Sequence, residues 1–236
     1  MANIIITGAS SGIGFEAVLD LTANKDHQVI ALARSADKLR KLHEIASSLN
    51  PDGGKLYPAQ FDIVFDNYSD ALLPFIRSKF EQVDILINNA GALIHKPFLE
   101  TSMQDFAEMF QANFLGHVQM IQHIAPLMPS GGHIVNISSM GGFQGSAKFP
   151  GLSAYSASKG AMATLTECLA EEFNESGVRV NCLALGSSQT EMFETAFPDL
   201  QAGTQAFEMG RYLAEFAQNG HKYYNGKVLP VANTTP

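Results

Sequence analysis

The sequence predicts an α/β fold: one domain over residues 1–236, built on a doubly wound parallel sheet of about seven strands with helices on both faces. Three observations predict it. Short apolar, β-branched runs alternate with longer stretches of helical periodicity along the chain. The runs are near-continuously apolar (HQVIALA at 27–33, VDILIN at 83–88), as strands buried on both faces are, and the helices between them supply the crossovers of a parallel sheet. The composition is globular, with 46% hydrophobic and 16% charged residues over 236 positions, enough length for a sizeable core.

The first strand, 3–7, runs into glycines, and a helix follows over 12–23. A second strand, 27–33, leads to a helix over 35–50, with Leu39, Leu42, Ile45 and Leu49 at three- and four-residue spacing and Pro51-Asp52-Gly53-Gly54 as its stop. The third strand, 55–61, is weakened by Pro58; in the helix over 68–80, Pro74 either kinks it or marks its true start. A fourth strand, 83–88, precedes a long helix over 102–128. Ser102 and Asp105 open that helix in the manner of a capping box, and Pro129 with Gly131-Gly132 stops it. A strand at 133–138, a long helix over 154–176 ended by Gly177, and a sixth strand at 178–185 continue the alternation. Residues 191–219 are partly helical, and 227–231 is a last short strand. The least regular stretch, 186–210, lies late in the chain. No linker, repeat or low-complexity segment divides the chain.

Charge and cysteine usage narrow the partners. Fifteen Lys and Arg against 23 Asp and Glu leave a net charge of −8, and no basic run offsets it, which speaks against nucleic acid or an anionic membrane. The start of the sequence predicts no signal peptide, and no uncharged apolar run of roughly eighteen residues is present to span a bilayer. Cys168 and Cys182 carry no C-x-x-C spacing, which fits a reducing, cytoplasmic setting. The seven histidines do not cluster at metal spacing, so no metal is expected.

In a doubly wound sheet a ligand sits beyond the carboxyl ends of the strands, so the turns after each strand hold the chemistry. After strand one comes Thr7-Gly8-Ala9-Ser10-Ser11-Gly12-Ile13-Gly14. Glycines between a first strand and a first helix permit a tight turn and let a pyrophosphate approach the helix N-terminus. The same glycines also suit mere close packing of helix on sheet. After strand two stands Arg34 with no carboxylate beside it, able to grip a 2′-phosphate or simply to be a solvated helix-start arginine. Asp62-Ile63 after strand three is either an adenine contact or a turn-forming Asp. Asn88-Asn89-Ala90-Gly91 after strand four is either a polar turn or a segment small enough for an adenosine to lie against the backbone, whose Asn side chains can tie neighbouring strand ends together.

After strand five come Ser138-Ser139 and a long loop to Tyr155. Tyr155 and Lys159 are four apart on a predicted helix and share a face. An ammonium beside a phenol lowers its pKa from about 10, which makes the tyrosine usable as a proton donor and acceptor near neutrality. The spacing alone is weak, because Tyr223 and Lys227 repeat it; there Asn225-Gly226 signals a turn rather than a shared helical face.

Together, Thr7 to Gly14, Asp62-Ile63, Asn88 to Gly91, Asn113, Ser139, Tyr155-Ser156-Ala157-Ser158-Lys159 and Thr190 resemble the short-chain dehydrogenase/reductase family, in its order and over most of the chain. The resemblance implies a Rossmann-like, NAD(P)-binding domain. It implies that Tyr155 is the catalytic acid/base, that Lys159 lowers its pKa and binds the nicotinamide ribose, and that Ser139 hydrogen-bonds the substrate carbonyl. Asn113, inside the long helix, would hold a relay water behind Lys159. Gly8, Gly12 and Gly14 would cradle the pyrophosphate, with Ser10, Ser11 and Ile13 in the same cofactor-binding turn. Asp62 and Ile63 would contact adenine, Asn89, Ala90 and Gly91 would surround the adenosine, and Ser188 and Thr190 would flank the nicotinamide carboxamide. Arg34 stands where the family reads NADPH, so the cofactor implied is NADP, with NAD as the second candidate.

Three departures stand out. Leu185-Gly186 replaces the family's usual Pro-Gly, the loop from Ser139 to Tyr155 is a few residues longer than usual, and Ser11 stands where a basic residue often assists Arg34. The implied activity is interconversion of a carbonyl and an alcohol on a small molecule, by a homodimer or homotetramer joined through the two long helices. Two other readings are an NADP(H)-binding sensor without turnover and, more narrowly, a 3-oxoacyl-carrier-protein-type reductase. Leu93, Ile94, Phe143, Phe149, Met192, Phe193 and Phe197 fall in segments expected to line the pocket, and an apolar ketone or aldehyde would suit them if they are not core.

Overall fold

The computed structural model describes residues 2–233. In chain order the elements are β1 (Ala2–Thr7), α1 (Gly12–Ala23), β2 (His27–Ala33), α2 (Ala36–Leu49), β3 (Lys55–Gln60), α3 (Leu73–Arg77) and β4 (Ile85–Asn88). Then come α4 (Met103–Phe110), α5 (Gly116–Ile124), β5 (His133–Ser139), α6 (Ser153–Glu172) and β6 (Arg179–Leu185). The last part holds β7 (Ser188–Gln189), α7 (Glu191–Ala196), β8 (Thr204–Gln205), α8 (Ala206–Asn219) and β9 (Val228–Val231). Seven strands form one parallel sheet in the order β3-β2-β1-β4-β5-β6-β9, and β7 pairs with β8 apart from it.

The period-two alternation of β1 sorts its side chains. Ile4 and Ile6 pack with Val18, Leu21, Leu42 and Leu213 under α1, α2 and α8. Ile5 faces the other way, with Leu86, Ile76, Met120, Ile121 and Ala170 under α3, α5 and α6. Both faces of the sheet are therefore covered, which explains why the strands read as unbroken apolar runs. The chain runs outward from β1 through β2 to β3, then crosses back to place β4 on the other side of β1. The crevice at the carboxyl ends of β1 and β4 is the topological switch point.

The long helix expected over 102–128 is interrupted. A π-helical turn at Gln111–Leu115 lies between α4 and α5, and a 3-10 turn, Ala125–Leu127, ends the run. Such bulges arise where side-chain bonding competes with the helical ladder, and Asn113 sits within this one. The expected capping box is present: Ser102 N–H donates to Asp105 Oδ2 at 2.7 Å, and Asp105 N–H donates to Ser102 Oγ at 3.1 Å. The helix expected over 68–80 is shorter and begins as a π-helical turn at Tyr68–Leu72. Pro74 follows that turn, inside a continuous helical run, where its missing N–H interrupts the ladder. Pro58 is tolerated because β3 is an edge strand.

Candidate active site

Thr7 anchors the switch point. Its hydroxyl, fully buried, accepts the backbone N–H groups of Asn89 and Ala90 at 3.0 Å each. The Asn89 side-chain amide donates back to the Thr7 and Gly8 carbonyls at 3.1 and 3.2 Å. The strand-four turn is thereby sewn to the glycine turn, as the paired asparagines suggested. Gly8 has φ +68°, and a Cβ on it would lie 2.6 Å from Ala90 Cα. A Cβ on Gly14 would lie 2.4 Å from both Asn89 Nδ2 and the Gly8 carbonyl oxygen. Only glycine fits either place.

The turn leads into α1 without a cap. Ser11, exposed, makes no side-chain bond to the helix, and the first turn carries no acid. The first N–H groups of a twelve-residue helix are thus left for an anion, with the positive end of the macrodipole behind them. Ser10 and Ile13 lie half-buried in this turn, and Gly12 (φ +59°) would place a Cβ 3.2 Å from Thr190 Cγ2. The residues present fit a dinucleotide pyrophosphate.

The second group of residues gathers beside Gly91. A Cβ there would stand 2.9 Å from Asn113 Oδ1 and 3.5 Å from Lys159 Nζ. Asn113 is fully buried and fully engaged: its Oδ1 accepts the Ala92 N–H at 2.9 Å, and its Nδ2 donates to the Ala92 carbonyl at 3.0 Å and to Ser158 Oγ at 3.1 Å. These bonds compensate an asparagine inside a helix and tie that helix to the turn after β4 and to α6. Lys159, 4% exposed, donates from Nζ to the Ile137 carbonyl at 2.8 Å. Burial depresses its pKa from 10.5 to about 8. The same burial pushes the neighbouring Cys182 thiol up to about 12, against the pull of the Lys159 charge.

Tyr155 is half-buried, one turn before Lys159 on α6. Burial raises its pKa above 10.0, and the Ser139 hydroxyl beside it pulls the other way. The expected lowering by Lys159 is not met by the chain's own charges. The ammonium is directed to the Ile137 carbonyl and is itself destabilised by burial, so it does not offset the desolvation of the phenol. Ser139 also accepts the Gly141 N–H at 3.2 Å, which turns the chain at the end of β5.

The remaining residues line the same edge of the sheet. Arg34 is exposed at the end of β2; its carbonyl accepts from Gln60, and its guanidinium makes no ion pair among the described residues. Asp62 shows the turn-forming role, accepting the Val64 N–H on Oδ1 at 2.9 Å. Ile63 is buried against Gly116, and its carbonyl accepts the Tyr68 hydroxyl at 2.6 Å. Ser188 is buried, and its hydroxyl has no partner among the described residues. The Thr190 hydroxyl caps α7 by accepting the Phe193 N–H at 3.2 Å. The second Y-x-x-x-K behaves differently: Gly226, at φ +66°, turns the chain between Tyr223 and Lys227.

Sequence reasoning gave no role to two histidines here. His117 is fully buried on α5, and its Nε2 lies 2.7 Å from the Ala90 carbonyl, so that nitrogen carries the proton while Nδ1 has no partner among the described residues. Burial, and then the Lys159 charge, hold its pKa down at about 3, so the ring is neutral near pH 7. His95, in the turn after β4, reaches the Ala196 carbonyl through Nδ1 at 3.1 Å. Neither lies in a local pattern that spacing could pick out.

A family model described as short chain dehydrogenase matches residues 2–201. An uncharacterized oxidoreductase of Staphylococcus aureus is 30% identical over 188 residues, 79% of this chain and 78% of its own length. Another, from Staphylococcus saprophyticus, is 30% identical over 191 residues, 80% and 79% of the two chains. Among solved structures, a Shigella flexneri short chain dehydrogenase complexed with NADP superposes with a TM-score of 0.85 at 26% identity, covering 97% of this chain and 96% of that one. L-sorbose reductase from Gluconobacter frateurii, complexed with NADPH and L-sorbose, shares the fold with a TM-score of 0.87 at 20% identity, over 99% and 96% of the chains.

Proposed function

The chain belongs to the short chain dehydrogenase family of NAD(P)-dependent oxidoreductases, and from that premise we propose that it uses NADP(H) to interconvert a carbonyl and an alcohol, with Tyr155 as acid/base. One observation carries the reading: Gly91, Asn113 and Lys159 converge within contact distance, on the helix face and turn that also hold Tyr155 beside Ser139. A nicotinamide dinucleotide, when bound, supplies or takes up the hydride. Ser139 holds the substrate oxygen by a hydrogen bond, and Tyr155 gives that oxygen its proton or removes it. Lys159, fixed by the Ile137 carbonyl and braced through Ser158 and Asn113, holds the ribose side of the cofactor and keeps positive charge near the phenol. Gly8, Ser10, Ser11, Gly12, Ile13 and Gly14 receive the pyrophosphate, Asp62, Ile63, Asn89, Ala90 and Gly91 the adenosine, and Ser188 and Thr190 the carboxamide.

The NADP preference rests on Arg34: its guanidinium is exposed and makes no ion pair among the described residues, with no carboxylate next to it in sequence to repel a 2′-phosphate. Residues 186–210 serve as the substrate-side loop of a single domain over 1–236, and the enzyme works in the cytoplasm. Exposed Leu99, Met103 and Leu115 on and around α4 and α5 support assembly as a homodimer or homotetramer through those helices and α6. Among the described residues no helix is long and apolar enough to cross a membrane.

The test pairs calorimetry with kinetics. NADPH binds well and NADH much more weakly, a panel of ketones and aldehydes consumes NADPH, and Tyr155→Phe keeps NADPH affinity while turnover falls by ~10²–10⁴-fold. Turnover in that variant within about tenfold of wild type refutes the role of Tyr155. NADPH binding with no Tyr155-dependent turnover on any carbonyl points to the sensor reading instead.

A further inference from the structure

Helix α7 is fastened at both ends, each time by a residue from a distant part of the chain. At its start, Glu191 Oε2 accepts from Lys38 Nζ on α2 at 2.7 Å. The preceding Thr190 rests its methyl over Gly12 of the glycine turn, 3.2 Å from where a Cβ would stand. At its end, the Ala196 carbonyl accepts from His95 Nδ1 at 3.1 Å, and the His95 ring lies 4.7 Å from the ring of Phe197, which is in turn 5.3 Å from Phe193. His95 is itself held on the loop that leads into Tyr155. Gly151 (φ +82°) has no room for a side chain, since a Cβ would lie 2.4 Å from His95 Cδ2, and its carbonyl accepts the Lys96 N–H at 2.9 Å. The six residues of α7 therefore reach from the rim of the phosphate cradle to the loop in front of the phenol.

We propose that Lys38 and His95 are positioning residues that hold α7 as a bar across the cleft. Lys38 fastens it on the dinucleotide side and sets how fast the cofactor leaves. His95 fastens it on the substrate side and sets how firmly the reacting carbonyl is enclosed. The assignment rests on the reading of the cleft as an NADP(H) site. Each latch is modest by its chemistry. The Lys38–Glu191 pair is 48% and 67% exposed at its two side chains, and a pair so open to water alters a rate by about two- to fivefold. A single hydrogen bond such as His95 to Ala196 alters an opening equilibrium by about two- to tenfold. Placed at the two ends of one short helix, they act on different steps.

NADPH release, followed by stopped-flow fluorescence on displacement with excess NADP⁺, tests the first latch. Lys38→Met and Glu191→Gln each speed release about two- to fivefold, and the exchanged pair Lys38→Glu/Glu191→Lys returns it toward wild type. Hydrogen exchange of the backbone over residues 190–197, with NADPH bound, tests the second. His95→Ala speeds exchange about two- to tenfold, and His95→Asn, which keeps a donor near the place of Nδ1, restores protection. Unchanged release in both single variants together with unchanged exchange in His95→Ala overturns the proposal while leaving NADPH binding intact. Weaker NADPH but unchanged NADH binding in Lys38→Met, with no effect of Glu191→Gln, makes Lys38 a phosphate ligand and also overturns it. A wild-type chain that binds neither dinucleotide refutes the reading of the cleft itself, before either latch is in question.

Discussion

Replacing Lys159 with methionine separates what the residue does for the reaction from what it costs the fold. The side chain is 4% exposed, and its ammonium, beside Cys182 and His117, donates to the Ile137 carbonyl at 2.8 Å. Burial lowers its pKa from 10.5 to about 8. At about 1.4 kcal/mol per unit, that depression corresponds to roughly 3 kcal/mol spent on keeping the charge buried. The sign follows from proton counting. Below pH 8 the lysine is protonated in both folded and unfolded chains and the full cost is present. Between pH 8 and 10.5 the unfolded chain holds more protons, so stability rises with pH; above that window both forms are neutral and the cost is gone.

Urea denaturation at several pH values reads this directly. The stability of wild type minus that of Lys159→Met should climb by about 3 kcal/mol between pH 8 and 10.5, with the tyrosines common to both proteins cancelling in the difference. At neutral pH the variant should be at least as stable as wild type, because a methionine fills the space without a buried charge, yet turnover should fall by ~10²–10⁴-fold. A difference that stays flat within about 0.5 kcal/mol across that window would refute the buried-charge argument, whatever happens to activity.

Three further outcomes are expected. Gly14→Ala forces a Cβ to within 2.4 Å of Asn89 Nδ2 and the Gly8 carbonyl, so it should cost about 1–3 kcal/mol in urea and weaken NADPH binding in calorimetry by more than about tenfold. Asn113→Ala takes the side-chain partner from the part-buried N–H and C=O of Ala92 and leaves the Ser158 hydroxyl only its bond to the Tyr155 carbonyl, and should destabilise by about 1–3 kcal/mol, read as a shift in the urea midpoint at unchanged slope. Arg34→Ala should raise the NADPH dissociation constant by about tenfold or more and leave that of NADH in place; a parallel change in both would remove Arg34 as the reader of the 2′-phosphate.

The fold was legible because its signals are local. Unbroken apolar runs announced strands covered on both faces, and the glycines after β1 and the Tyr155–Lys159 spacing were patterns a few residues long. What escaped the sequence depends on contacts between distant segments. The helix over 102–128 keeps its apolar periodicity through Asn113, so nothing local marks the π-helical turn, which accompanies an amide reaching Ala92 in the turn after β4. Where the Lys159 ammonium points is decided by the Ile137 carbonyl on β5, which four-residue spacing on a helix does not specify. His95 meets its partner across 101 positions of sequence, and His117 meets Ala90 across 27.

Polar residues inside otherwise apolar strands explain how such distant groups arrive at one height. Asn88 and Asn136 are both fully buried and stand opposite each other in the β4–β5 ladder. Asn88 donates to Asn136 at 2.9 Å, and Asn136 donates to the Thr166 hydroxyl of α6 at 2.9 Å. Apolar side chains would fill the same space in several registers, and a slip of one residue would turn every side chain of the strand to the other face. A slip would break both bonds and leave further desolvated polar groups beside Asn88 Oδ1, which has no partner among the described residues. The pair sits one residue before Asn89 and three before Ser139, and its third member lies on the helix that carries Tyr155 and Lys159. The same three side chains that fix strand register therefore also fix the height of the turn after β4, of Ser139 and of the acid/base helix relative to one another. That coupling gives a physical reason for burying amides where valines would pack as well.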